Sequence, residues 1–200
     1  MWAVTLNKLR KGSGFIDCNR VVRLLQNKPF TKKDNNLKSH IRFKHTDEIS
    51  LIDICHINGI SYALWAMRYL DSTHNRDIQL FGVWCVRQVQ HLLIDERSIR
   101  AIDVVEKFAN NMASEKELYV AHRNALFAYE SNFHHIHSKA HLAAYLLTGN
   151  TVSGINGAAH FAACKDSVWL KDNERPEQTE MFIKLCQGKA PWQLDKLQQK

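Results

Sequence analysis

Residues 76–93 read Arg76-Asp77-Ile78-Gln79-Leu80-Phe81-Gly82-Val83-Trp84-Cys85-Val86-Arg87-Gln88-Val89-Gln90-His91-Leu92-Leu93. Ile78, Phe81, Cys85, Val89 and Leu92 recur at intervals of three and four, which winds into one continuous apolar stripe on a helix. Val83, Trp84 and Val86 lie off that stripe, so the helix is apolar on more than one side. Such a helix suits a central position with neighbours on both flanks. Its neighbours in sequence should supply those flanks.

Upstream, Ser50-Leu51-Ile52-Asp53-Ile54-Cys55 reads as a short helix closed by Asn58-Gly59, a good helix-ending pair. A second helix follows over 60–70, with Ala63, Leu64, Met67 and Leu70 at helical spacing. Downstream, residues 95–110 carry Ile99, Ile102, Val105 and Phe108 at the same period, and Asn110-Asn111 breaks it. Ser114-Glu115-Lys116-Glu117 forms a capping box, in which the serine oxygen accepts from a backbone N–H three residues on and Glu117 reaches back. It predicts a long helix reaching Leu147, with Gly149 as its cap. Residues 155–170 are Ala-rich and suit close helix packing. Residues 173–187 read as the last helix, with Pro176 in its first turn and Gly188 at its end. No segment alternates convincingly enough for a strand, and only 8 Gly and 3 Pro occur, against a turn-rich β fold. Short connections make neighbours antiparallel. The expectation is an all-α, single-domain multi-helix antiparallel array with a basic N-terminal segment.

Charge divides the chain differently. The 200 residues carry a net charge of +7. Residues 1–45 hold eleven Lys or Arg and two acids, Asp17 and Asp34, which is +9; the other 155 residues hold 16 basic and 18 acidic groups, which is −2. The reading is a basic N-terminal helix and arm over 1–45 and a helical body over 46–200. In the first part, residues 17–27 form a helix with Val21, Val22, Leu24 and Leu25 inward, Pro29 ends it, and 28–45 is an exposed arm. Lys28, Lys32, Lys33, Lys38, Arg42 and Lys44 could neutralise phosphates, with Phe30, His40, Phe43 and His45 available to stack on bases. They could equally dock on an acidic protein surface. A solvated basic face that favours solubility is the plain alternative.

A composition of 45% hydrophobic and 24% charged residues is that of a globular chain. No apolar run is long enough to span a bilayer, and the first residues lack a basic region followed by an apolar one. Five cysteines at wide spacing give no CxxC pair, so a reducing cytoplasm is the simpler setting.

Eleven histidines raise the question of metal. Glu130, His134, His137 and His141 step by four, three and four, which on one helix makes a single face. His160 and Cys164 are four apart on the next helix. If the two helices pair, four ligands for zinc or a similar divalent ion could meet. Against this, neither HExxH nor CxxC is present. The plain reading is a polar face whose imidazoles carry partial charge near pH 6. Cys85 sits on the apolar stripe and reads as a core filler. GxSxG, GxxxxGK[ST] and GxGxxG are absent, and Gly154-Ile155-Asn156-Gly157 reads as a turn before a helix. No catalytic residue and no cofactor is therefore expected, beyond the metal alternative on the histidine stripe, which would make a metal-dependent enzyme.

One resemblance covers about half of the chain. Ser50-Leu51-Ile52-Asp53-Ile54, Asn58-Gly59, Ala63-Leu64-Trp65 and Arg68 begin it. Arg76-Asp77-Ile78, Leu80-Phe81, Trp84-Cys85, Arg87-Gln88-Val89, Asp95, Arg97-Ser98, Ala101, Asp103-Val104, Glu106 and Glu117-Leu118 continue it. Gln178-Thr179-Glu180-Met181-Phe182 and Gly188-Lys189-Ala190-Pro191-Trp192-Gln193 close it. This run resembles an alanine-rich family of small phage and prophage proteins without established activity, itself similar to helical proteins regarded as immunity proteins of bacterial toxin systems. The sequence departs from that family between Ser131 and His141 and between Thr148 and Gly157, where the Ala-rich runs are broken, and in the strength of the basic segment. The resemblance implies an all-helical, phage-encoded accessory protein acting in the host cytoplasm; it does not imply an enzyme, since it offers no catalytic residues to carry over. Such a protein would bind and inhibit or sequester a macromolecular partner, plausible targets being host defence or toxin machinery. A nucleic-acid-binding protein using the basic segment is the alternative. A protein partner, a nucleic acid and a second copy of the chain all remain open, and no membrane is expected.

Overall fold

The structure, a computed structural model, describes residues 2–11, 46, 48–164 and 175–198. The predicted helix over 17–27 and the arm over 28–45, with Lys28, Lys32, Lys33, Lys38, Arg42 and Lys44, lie outside the described residues. Among those described the fold is all-α, apart from one two-stranded sheet. The chain divides into two compact units, residues 1–70 and residues 71–200. Sequence reading expected one array whose basic segment ends at 45. The division at 70 follows a local event: the backbone turns extended at Leu70, and Asp71 then caps a fresh helical turn by accepting from the Thr73 N–H.

In the first unit, β1 (Ala3–Thr5) pairs antiparallel with β2 (Glu48–Ser50), placing Val4 opposite Ile49. Three residues are too few for alternation to be legible, which is why no strand was expected. Helix α1 (Leu6–Lys11) follows β1 directly. Ser50 ends β2 and also starts α2 (Leu51–Asn58), its hydroxyl accepting from the Ile52 N–H. Gly59, at φ 91°, ends α2 and opens α3 (Ile60–Ala66), as Asn58-Gly59 predicts; a side chain at that φ is disfavoured. Leu51, Ile54, Ile60, Leu64 and Met67 are fully buried.

The second unit is built round α4 (Asn75–Arg87). Ile78, Leu80, Phe81, Val83, Cys85 and Val86 are all buried, so the helix is covered on more than one side, as its sequence requires. It is packed by α5 (Glu96–Ala109), α7 (Ser138–Thr148), α8 (Val152–Ala163), α9 (Pro176–Cys186) and α10 (Pro191–Gln198). Phe81 meets Phe182 of α9 edge to face, with centroids 6.0 Å apart. Gly82 lets α7 and α8 close in: a Cβ there would stand 2.8 Å from Leu147 Cδ1 and 3.0 Å from Ile155 Cγ2. Cys85 is buried among them, and burial pushes its thiol far above the ordinary range, which fits a core filler. Helix α10 is tied to the start of α4 by Gln193 Nε2, which donates to Asp77 Oδ2 at 2.9 Å. Among the described residues no helix is long and apolar enough to cross a membrane.

Helix α6 (Glu115–Ser131) lies at the edge of this unit. The capping box that starts it is formed: Ser114 Oγ accepts from the Glu117 N–H, and the Glu117 carboxylate accepts from the Ser114 N–H. The helix does not run on to Leu147. Ser131 Oγ donates to the Phe127 carbonyl at 2.7 Å and Asn132 Nδ2 to the Ala128 carbonyl at 2.8 Å. Such back-bonding competes with the ladder of backbone bonds. Asn132 then leaves helical geometry at φ −112°, ψ 17°, and turns carry the chain to α7.

Candidate partner-binding face

Helices α5 and α6 form a hairpin whose two ends are pinned by polar contacts. Asp95 caps α5, accepting from the Arg97 N–H at 2.9 Å and from its guanidinium at 2.7 Å. Arg97 also reaches Ser131 Oγ at 3.3 Å, which places the start of α5 beside the end of α6. The two helices are therefore antiparallel, joined by a turn in which Asn111 takes φ 58°. The Arg97 guanidinium beside Asp95 holds that carboxyl below its usual range.

The seam between them is made of small residues. Ala101 of α5 packs with Ala121 and Ala125 of α6, with Val104 and Tyr145 against them. Of the 17 residues of α6 only Leu118, Ala121, Ala125 and Ala128 are buried. Three larger apolar side chains of the helix are exposed instead, Tyr119 at 61%, Val120 at 49% and Phe127 at 43%, while Leu126 and Tyr129 are half-buried. Alanines on the inside leave a shallow groove of about 380 Å³ between the helices, lined by Ala101, Val104, Val120 and Ala121 and edged by Arg97, Arg100, Lys116, Glu117 and Asn124. Arg123 stands over the Phe127 ring, 5.4 Å from its centroid. Beyond the end of α6, Phe133 and Ile136 are also solvent-exposed.

The histidines are not gathered as the stripe predicted. The break after Ser131 takes Glu130 onto α6, His134 and His137 into the turns and His141 onto α7, so they share no helix face. His134 is exposed, with its ring edge to face against Phe133. His141 is fully buried, and its Nδ1 lies 2.8 Å from Ser98 Oγ of α5. Burial holds the His141 imidazole below its ordinary value, against the opposing pull of Asp95. Its Nε2, like Nδ1 of His137, has no hydrogen-bond partner among the described residues. His160 Nε2 and Cys164 Sγ stand 4.0 Å apart, as a pair of their own. Among the described residues no group of three or more His, Cys, Asp or Glu is placed to hold a metal ion. The Ser98–His141 pair is no nucleophile and base either: both residues are sealed from solvent, and a reacting group would need access.

Two features escaped the sequence. The Ser98–His141 bond joins residues far apart in the chain, and nothing local signals it. The exposed face had a signal: Val120 and Phe127, seven apart, share one side of α6, turned away from Ala125. No family model, no curated protein and no solved structure matches this chain.

Proposed function

We propose that the protein is a non-enzymatic binding protein that inhibits or sequesters a macromolecular partner, using the outer face of α6. The observation that carries the reading is the inverted helix: alanines inward, with Tyr119, Val120 and Phe127 outward. Val120 and Phe127, seven residues apart, share one side of the helix, and exposed apolar surface of that kind marks interaction sites on soluble chains. The more specific part, a phage- or prophage-type accessory protein directed at host defence or toxin machinery in the host cytoplasm, rests on the resemblance of residues 50–118 and 178–193 alone. The test is a pull-down from nuclease-treated host lysate with the full chain and with Phe127→Arg. One dominant protein retained by the wild type and lost by the variant supports the reading. Equal recovery by both removes α6 from it.

The charge segregation favours a second reading, nucleic-acid binding through residues 1–45, which carry +9. In that case affinity for DNA or RNA falls steeply with salt and with neutralisation of Lys28, Lys32, Lys33 and Lys38. Absence of binding at low salt removes this alternative.

A further inference from the structure

We propose that the occupant of the α5–α6 groove is an amphipathic helix of a partner protein whose flanks carry Asp or Glu; this rests on the partner-binding reading above and names the partner's chemistry. The floor is apolar, from Val104, Val120 and Ala121. The walls are two helices, whose mid-helix backbone groups are used internally, so no strand can be added by main-chain pairing. Recognition must come from side chains inserted between the helices. From Lys116 to Asn124 the α6 wall of the groove runs about 12 Å at 1.5 Å per residue, roughly two turns of a docked helix. An i, i+3, i+4, i+7 set of apolar anchors fits that length.

Charge selects the flanks. Lys116 edges the groove and has no ion-pair partner among the described residues; Arg123, about two turns further along the same helix, lies outside the groove lining, over Phe127. Arg100 is paired only with Glu96 on its own helix, a fully solvated contact that contributes little and is readily exchanged. Glu117 is the single acid on the edge, and it is engaged: its carboxylate accepts from the Ser114 N–H and hydroxyl, both at 2.7 Å, which holds it below its usual range. The groove therefore presents Lys116 and the readily exchanged Arg100 beside an apolar floor, and like-charged flanks on a partner helix would be repelled.

The experiment is a selection of helix-forming peptides of about four turns, varied in apolar spacing and flank charge, against the full-length chain. Enriched peptides are expected to combine apolar anchors at helical spacing with Asp or Glu. In titrations their affinity should fall about tenfold or more, roughly 1.4 kcal/mol, with Val120→Arg and with the pair Lys116→Glu and Arg100→Glu. All three substitutions are at exposed positions, and an unchanged melting temperature verifies folding. Enrichment of basic or uncharged sequences, or no enrichment, overturns the proposal. Binders indifferent to Val120→Arg overturn the groove while leaving a protein-binding function standing elsewhere. Self-association of the chain that Val120→Arg abolishes makes a second copy the occupant and also overturns it.

Discussion

Helices α4 and α6 are both amphipathic by sequence, and they use their apolar residues in opposite ways. On α4 the large side chains face inward and are buried, Phe81 and Val86 completely. On α6 the inward positions are mostly alanine, and Tyr119, Val120 and Phe127 face solvent. Burial of apolar area stabilises the fold at about 25 cal/mol per Å², so α4 contributes heavily to stability and α6 contributes little for its length. Tyr119, Val120 and Phe127 are kept where they weaken solubility and add little to the core. That is the distribution expected of a recognition helix held on a rigid support.

The strongest way to break this comparison is at its buried end. Phe81→Ala should cost about 3–5 kcal/mol, from lost transfer energy and a cavity beside Phe182. Urea or thermal unfolding measures it, and a cost under 1 kcal/mol would mean that α4 is not the centre of the unit. Next comes close approach. Gly82→Ala puts a methyl group 2.8 Å from Leu147 and 3.0 Å from Ile155, both buried, and should cost about 1–3 kcal/mol by overpacking. A stabilising Gly82→Ala, the usual helix-propensity outcome, would show that α7 and α8 do not press on α4 there.

The Ser98–His141 pair comes next in size. Ser98→Ala leaves the Nδ1 side of a buried imidazole without a partner and should cost about 1–3 kcal/mol. The same pair sets a pH dependence. His141 has a folded value depressed below 6.5 by burial, so in acid the unfolded chain takes up the proton more readily than the folded one. Stability is therefore full above pH 6.5 and falls as pH drops through that value toward the folded one. Asp95 opposes the shift, while His135, His137 and Arg97 reinforce it. The carboxylates held low, Asp95 among them, lose their contribution only in more acid solution. A melting series from pH 7.5 to about 5.5 should slope downward, and His141→Gln should flatten it. An unchanged slope in that variant would assign the dependence to other groups.

The comparison also shows what could be read from residues alone. The first part of the α4 stripe, Ile78, Phe81 and Cys85, was legible because intervals of three and four wind onto one helix face, but the helix stops at Arg87 instead of running to Leu93, and Val89 and Leu92 fall in the turns beyond it, Leu92 only half-buried. The caps at Ser114 and Gly59 and the first-turn Pro176 were legible because each works within a few residues of itself. The break after Ser131 was not, because it depends on whether two side chains bond back to carbonyls rather than to water, and composition is silent on that. With the break went the histidine stripe, whose members share a face only on an unbroken helix. The groove was half legible. Val120 and Phe127 are visibly on one side of α6, but the alanines of the helix look too small to be the buried side until Ala101 is found packed against them.

The smallest expected effect on stability is the most informative about function. Phe127→Ser and Val120→Ser remove exposed apolar surface from α6 and touch none of Leu118, Ala121, Ala125 or Ala128, the residues that hold the helix down. Each should shift unfolding by no more than about 0.5 kcal/mol in either direction, the range of ordinary surface changes. Apparent solubility should rise, because an exposed apolar patch favours association. Partner capture should nevertheless be lost, since large residues at the middle of an interface carry most of its energy. The two readouts must separate for the inverted helix to mean what it suggests. If Phe127→Ser costs as much stability as a core substitution, the ring is packed in solution and α6 is another core helix. If it changes neither stability nor capture, the exposed face is incidental, and the basic segment over 1–45 becomes the surface on which to repeat the same pair of measurements.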